Sequence, residues 1–165
     1  MKNVITGLLL LLSPNVALAQ IAISISGGFA QFDLSGTGDA PVLAGRVDMP
    51  VNRYVIAEPG ITLLWPEQQF GETTTLFIPE VQFQLQRPGR LAPYVGLGVG
   101  GAFDIRDDEN GGTQSDLTIS GAAGLRAQLS EMFGLRVELR MRGIGDSFQG
   151  STAEWTAGLS FRPGS

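Results

Sequence analysis

Residues 132–144 read Met132-Phe133-Gly134-Leu135-Arg136-Val137-Glu138-Leu139-Arg140-Met141-Arg142-Gly143-Ile144. Phe133, Leu135, Val137, Leu139 and Met141 take every second position, and Gly134, Arg136, Glu138, Arg140 and Arg142 take the positions between. A period of two sends these sets to opposite faces of an extended strand, whereas a helix scatters both around its circumference. The stretch therefore reads as a strand with one apolar face and one charged face.

The same alternation recurs along the chain. Val95, Leu97, Val99 and Phe103 alternate with Tyr94, Gly96, Gly98 and Gly100, and Leu117, Ile119, Ala123 and Leu125 with Thr118, Ser120, Gly124 and Arg126. Trp155, Ala157, Leu159 and Phe161 alternate with Glu154, Thr156, Gly158 and Ser160. Further segments are Phe77 to Gln86, Tyr54 to Trp65, and two weaker ones at about 21–32 and 41–51. No charged residue falls on the apolar face of these eight segments. Tight connections at Val51–Arg53, Arg87–Arg90 and Ser130–Glu131 alternate with longer, Gly- and acid-rich ones at about Asp33–Asp39, Pro66–Thr74, Asp104–Asp116 and Gly145–Thr152. This layout predicts an all-β, eight-stranded antiparallel up-and-down transmembrane barrel, with the short turns and both termini on the periplasmic side.

Composition points the same way. Residues 1–19 have the form of a cleaved signal peptide: Lys2, an apolar run from Val4 to Leu12, a break at Ser13-Pro14-Asn15, and the small-x-small pattern Ala17-Leu18-Ala19. The run is shorter than the roughly 20 residues of a helical span. Residues 20–165 are then a single barrel domain. Beyond Lys2 there is no lysine, and the chain has no His and no Cys. A lysine-free surface suits lipid better than water. Ten Arg against sixteen acids leave the domain at −6, which argues against nucleic acid as a partner.

Alternation alone also fits a soluble periplasmic barrel with its apolar face around a ligand. The charges favour the opposite arrangement. Arg46, Arg126, Arg136, Arg140, Arg142 and Arg162 share the polar face with Asp48, Glu58, Glu80, Glu138 and Glu154. Such near balance suits an enclosed lumen, where an unpaired charge costs roughly 3–5 kcal/mol. Gly, Ala and Ser crowd the same face, as the narrow interior of eight strands requires. On the apolar face, Phe29, Trp65, Phe77, Phe103 and Trp155 fall towards the loop ends, and Phe83, Phe133 and Phe161 towards the turn ends. These are the two aromatic girdles expected of a membrane barrel.

Pro93-Tyr94-Val95-Gly96-Leu97-Gly98-Val99-Gly100 and Trp155-Thr156-Ala157-Gly158-Leu159-Ser160-Phe161 resemble segments of the small outer-membrane barrels that include the barrel domain of outer membrane protein A and the opacity proteins. The resemblance covers Gln20 to Arg162. It implies a Gram-negative outer-membrane location, outer-membrane lipid and lipopolysaccharide as surroundings, insertion by the barrel-assembly machinery, and a monomer. Family members usually end on an aromatic residue read by that machinery; here Arg162-Pro163-Gly164-Ser165 follow Phe161. Outer-membrane lipid A deacylases and palmitoyltransferases share the architecture but depend on a His and a Ser, and this chain has no His.

Without His, Cys or a lysine past position 2, the common nucleophile–base pairs are missing, and neither enzyme activity nor a cofactor is expected. Pairing Pro50 with Tyr54 sets Arg46 opposite Glu58, and pairing Trp65 with Thr73 sets Glu58 opposite Glu80. Such a Glu–Glu pair is either an acid–base couple or part of a salt-bridge cluster countered by Arg46. The same counting sets Arg142 opposite Glu154, and Glu138 lies between Arg136 and Arg140 on one strand. Asp107, Asp108 and Glu109 hint at a cation, but Arg106 breaks the EF-hand order, leaving a solvated acidic loop as the plainer reading. Pro59 and Pro79 fall inside strands, seemingly opposite one another on the lipid face. They mark either bulges or a weakened wall that opens laterally to lipid or small solutes, or contacts another chain. The expected role is structural or interactive, through outer loops whose partner the sequence leaves unnamed, around a filled polar lumen that is not an open pore.

Overall fold

The computed structural model describes residues 21–32, 39–66, 75–105, 114–145 and 150–163. They form eight antiparallel strands: β1 (Ala22–Phe32), β2 (Asp39–Pro50), β3 (Val55–Leu64), β4 (Thr75–Gln86), β5 (Leu91–Ile105), β6 (Gln114–Gln128), β7 (Phe133–Ile144) and β8 (Gly150–Phe161). Each pairs with the next, and β8 returns to β1 to close the barrel. Closure leaves no sheet edge, which matters because each unpaired backbone group costs several kcal/mol in hydrocarbon. The proposed signal segment and the acidic residues Asp107, Asp108 and Glu109 lie outside the described residues.

The period of two resolves as expected. Leu97 is 72% exposed and Phe29 65%, while Arg140 and Glu58 are 1% exposed. Apolar side chains cover the outside and charged ones fill the inside. This overturns the soluble alternative, which needs the apolar face within.

Register departs from the sequence expectation by two residues in three hairpins. Pro50 pairs with Ile56 and Arg46 with Gly60, so Arg46 is not opposite Glu58. Glu58 pairs with Gln82, and Glu80 with Gly60, so the two glutamates are not opposite either. Arg140, not Arg142, pairs with Glu154. At the first hairpin the cause is visible. Asn52 Oδ1 accepts from the amides of Tyr54 (2.8 Å) and Val55 (2.9 Å), and Val51 N donates to Val55 O (2.9 Å). An Asx-stabilised turn of this kind closes on Val51 and Val55 rather than on Pro50 and Tyr54.

Pro59 and Pro79 are diagonal neighbours, not opposite ones: Pro59 pairs with Val81, and Pro79 with Ile61. The β3–β4 ladder runs unbroken from Val55–Leu85 to Leu64–Leu76. The breaks fall on the flanking seams instead. Between β2 and β3, pairing skips from Arg46–Gly60 to Met49–Ala57; between β4 and β5, it skips from Phe77–Phe103 to Glu80–Gly100. Each proline lacks an amide donor and so interrupts one seam. Glycine lets the strands close up beside each gap. A Cβ on Gly60 would lie 2.7 Å from Arg46 Cγ, and one on Gly100 would collide with the Pro79 carbonyl.

The lumen is layered along its axis. Polar residues fill its turn side and middle, but the loop side holds an apolar layer of Ala30, Ala40, Val42, Leu64, Ile78 and Ala102, with Phe32, Leu76 and Ile144 packed against it. The uniformly polar interior expected from sequence therefore stops short of the loop end.

Candidate functional site: the charged lumen

Long side chains converge inside the barrel because the inward positions opposite them are small. Tyr94 pairs with Gly124, where a Cβ would sit 2.4 Å from the ring, and Arg46 pairs with Gly60. Glycine at these positions gives the ring and the guanidinium arm their volume.

Two carboxylates act as hubs. Glu138 Oε1 accepts from Arg140 Nη2 (2.8 Å) and Arg46 Nη1 (3.3 Å); its Oε2 accepts from Arg136 Nη2 (2.6 Å) and the Tyr94 hydroxyl (2.7 Å). Glu58 takes both Nη atoms of Arg136, with Nη2 to Oε1 at 2.9 Å, and also Arg126 Nη2 at 2.7 Å. Arg126 further donates to Asp48 (3.0 Å) and Gln84 (2.7 Å). Tyr94 links the two hubs: Arg136 Nε donates to its oxygen at 2.9 Å, while Arg126 and Arg136 stand 5.0 and 5.2 Å from its ring centroid, within cation–π range.

Nearer the loop side, Arg142 grips Glu154 through Nε (2.8 Å) and Nη2 (3.2 Å) and donates to Glu80 from Nη1 (2.8 Å). Thr152 and Ser120 add hydroxyl donors to Glu154 and Glu80. Arg140 pairs with Glu80 and donates to Gln82 (2.7 Å). Arg46, Arg126, Arg136, Arg140 and Arg142 thus face Asp48, Glu58, Glu80, Glu138 and Glu154, and their formal charges cancel. Cancellation matters here because an uncompensated buried ion costs several kcal/mol.

Ten of the eleven expected network residues meet in this cluster. Arg162 does not: it lies past the end of β8, exposed, and its amide donates to Met132 O (2.8 Å) on the turn-side rim. It has inward parity, but the ladder ends one residue earlier, at Phe161. Glu58 and Glu80 are not cross-strand partners, yet Arg46 stands near both, at 3.6 and 3.9 Å, so they join one salt-bridge cluster in which Arg46 is a shared counterion. Among the described residues, no group of three or more His, Cys, Asp or Glu is placed to hold a metal. Tyr94, Gln82, Gln84, Thr62, Ser120 and Thr152 were missed as members. Their inward parity was legible, but neutral side chains carry no charge-pairing signal to single them out.

On the outer wall, Phe77 and Phe103 pack at 6.2 Å near the loop ends of β4 and β5, and Phe133 and Phe161 at 5.4 Å at the turn ends of β7 and β8. Phe29 lies towards the loop end of β1 and Phe83 towards the turn end of β4. Trp65 follows directly on β3, half-buried. Trp155 stands outward on β8, directly across from Phe29.

The sequence matches the outer membrane protein beta-barrel domain over residues 5–162. No curated protein sequence matches it. Among solved structures, Neisserial surface protein A is similar with a TM-score of 0.75 and 12% identity, covering 87% of this chain and 97% of that one. The N-terminal barrel of Pseudomonas aeruginosa OprF is similar at 0.56 and 18%, covering 85% and 96%. The outer membrane enzyme PagL is similar at 0.59 and 14%, covering 85% and 99%. At such identities the likeness is one of fold.

Proposed function

Because the chain belongs to the outer membrane protein beta-barrel domain family, we propose that it is a non-catalytic integral barrel of the outer membrane. In this reading it has a structural or surface-interaction role, and its lumen is plugged rather than conducting. The observation that carries this is the filling of the interior: five arginines and five carboxylates are paired within it, beneath an apolar layer on the loop side. Eight strands leave room for side chains and little else. Export through a cleaved segment 1–19, residues 20–165 as the membrane domain, outer-membrane lipid and lipopolysaccharide as its surroundings, and presentation of the loops to the outside complete the proposal. The exposed aliphatic wall supports the lipid surroundings, and the aromatic pairs near opposite strand ends support a girdle at each interface.

The test is planar-bilayer conductance of the purified protein. We expect no porin-like current. Sustained openings of porin size would overturn the plugged-lumen reading.

A further inference from the structure

The outer wall is not uniformly convex. A groove of about 700 Å³ crosses it from β1 to β5. It is lined by Gly45, Pro59 and Pro79 around Ile61, with Ile23 and Ile25 at one end and Val81 and Val99 at the other. The depression has a cause in the sequence. Gly45 and Pro79 flank Ile61 in one row of outward positions, and Pro59 stands beside Val81 in the next, so three positions carry a hydrogen atom or a compact ring among branched chains. A Cβ built on Gly45 meets nothing within 4 Å. Arg46 and Glu80 border the groove, but their side chains turn into the lumen and are 3% and 6% exposed.

We propose that this groove is a fixed binding site for one lipid acyl chain. The inference rests on the membrane-embedded reading above, which places hydrocarbon against this part of the wall. A concavity left empty there forfeits dispersion contacts on both sides, and a thin flexible chain fills it where a rigid barrel wall does not. Its volume lies within the roughly 300–1,000 Å³ of small-molecule sites. The lining is aliphatic, with none of the aromatic, Met or outward-reaching Arg side chains that anchor protein–protein contacts. The groove is also continuous with the exposed aliphatic band of β1, β4 and β5.

The test uses the full protein in phosphatidylcholine vesicles doped with phosphatidylcholine that carries a diazirine at mid-chain. After irradiation, the labelled peptides are mapped by mass spectrometry. Insertion is expected at Pro59–Ile61 and Pro79–Val81 in roughly tenfold excess over Val137, Leu139 and Leu159 elsewhere on the wall, a preference of ~1.4 kcal/mol. G45F, whose side chain enters open space, should abolish the excess while keeping the heat-dependent gel mobility of the folded barrel. G121F, outward-facing but outside the groove, should leave the excess unchanged. Even labelling around the wall, or an excess that survives G45F, would overturn the site while leaving the membrane reading intact. A dimer in detergent that G45F dissociates would reassign the groove to a second copy and also overturn it. Failure of the protein to enter vesicles at all would overturn both readings.

Discussion

Glu138 is bound by three arginines and a tyrosine hydroxyl at once, so its removal leaves Arg46, Arg136 and Arg140 facing one another without their shared anion. Glu138→Ala should therefore destabilise the barrel by about 3–5 kcal/mol. Urea unfolding in detergent reads this as a lowered midpoint; an unchanged midpoint would show that the cluster repairs itself. A second residue-scale prediction concerns volume rather than charge. Gly124→Val places a Cβ against the Tyr94 ring and within 2.6 Å of the Val137 carbonyl, so overpacking should cost about 1–3 kcal/mol. The same unfolding assay checks it, with Gly121→Val as the comparison, because an added Cβ there meets only Leu97 Cδ2, at 4.0 Å.

Among the strands, the two prolines divide the wall into segments of unequal strength. The β6–β7 ladder is continuous from Thr118–Ile144 to Gln128–Gly134, whereas the β2–β3 and β4–β5 ladders each skip two pairs beside a proline. Amide exchange in detergent should therefore be faster at Val47 and Gly101, whose amides face the interrupted seams, than along β6 and β7. The expected factor is roughly fivefold, as the loss of a bond worth ~1 kcal/mol implies. Uniform protection across these strands would mean that Gly60 and Gly100 restore the seams fully. Most of this level was readable beforehand: all eight strands, their faces and three short turns follow from alternation and turn residues. Strand ends were less so. β5 and β6 extend to Ile105 and Gln114, into residues that composition assigns to the loop, because Asp104–Gln114 pairing continues the ladder past the apolar pattern.

For the molecule as a whole, the layered lumen separates stability from conduction. Ile78 and Leu64 are fully buried in the loop-side apolar layer, so truncating either to Ala should cost about 2–5 kcal/mol. The charged cluster behind them stays in place, and the double variant should remain non-conducting in planar bilayers. Porin-like current in that variant would identify the apolar layer as the sole seal. The sequence hid this layer because Leu63-Leu64-Trp65 and Leu76-Phe77-Ile78 are apolar on both faces, so alternation fails where the inward side chains turn aliphatic.

Which residues share a face was settled by the sequence alone, because a period of two survives any register shift of two residues; that the apolar face points outward was decided by the closed barrel. The same invariance hid the register itself. Arg46 was set two positions from its true neighbour, yet from opposite Gly60 its guanidinium still comes within 3.6 Å of Glu58. Glu138 with Arg136 and Arg140 was legible on one strand, but which arginines meet Asp48, Glu58 and Glu80 was decided only when the turns, the prolines and barrel closure set the stagger of the strands. Long guanidinium arms then reached across strands that no local pattern connects.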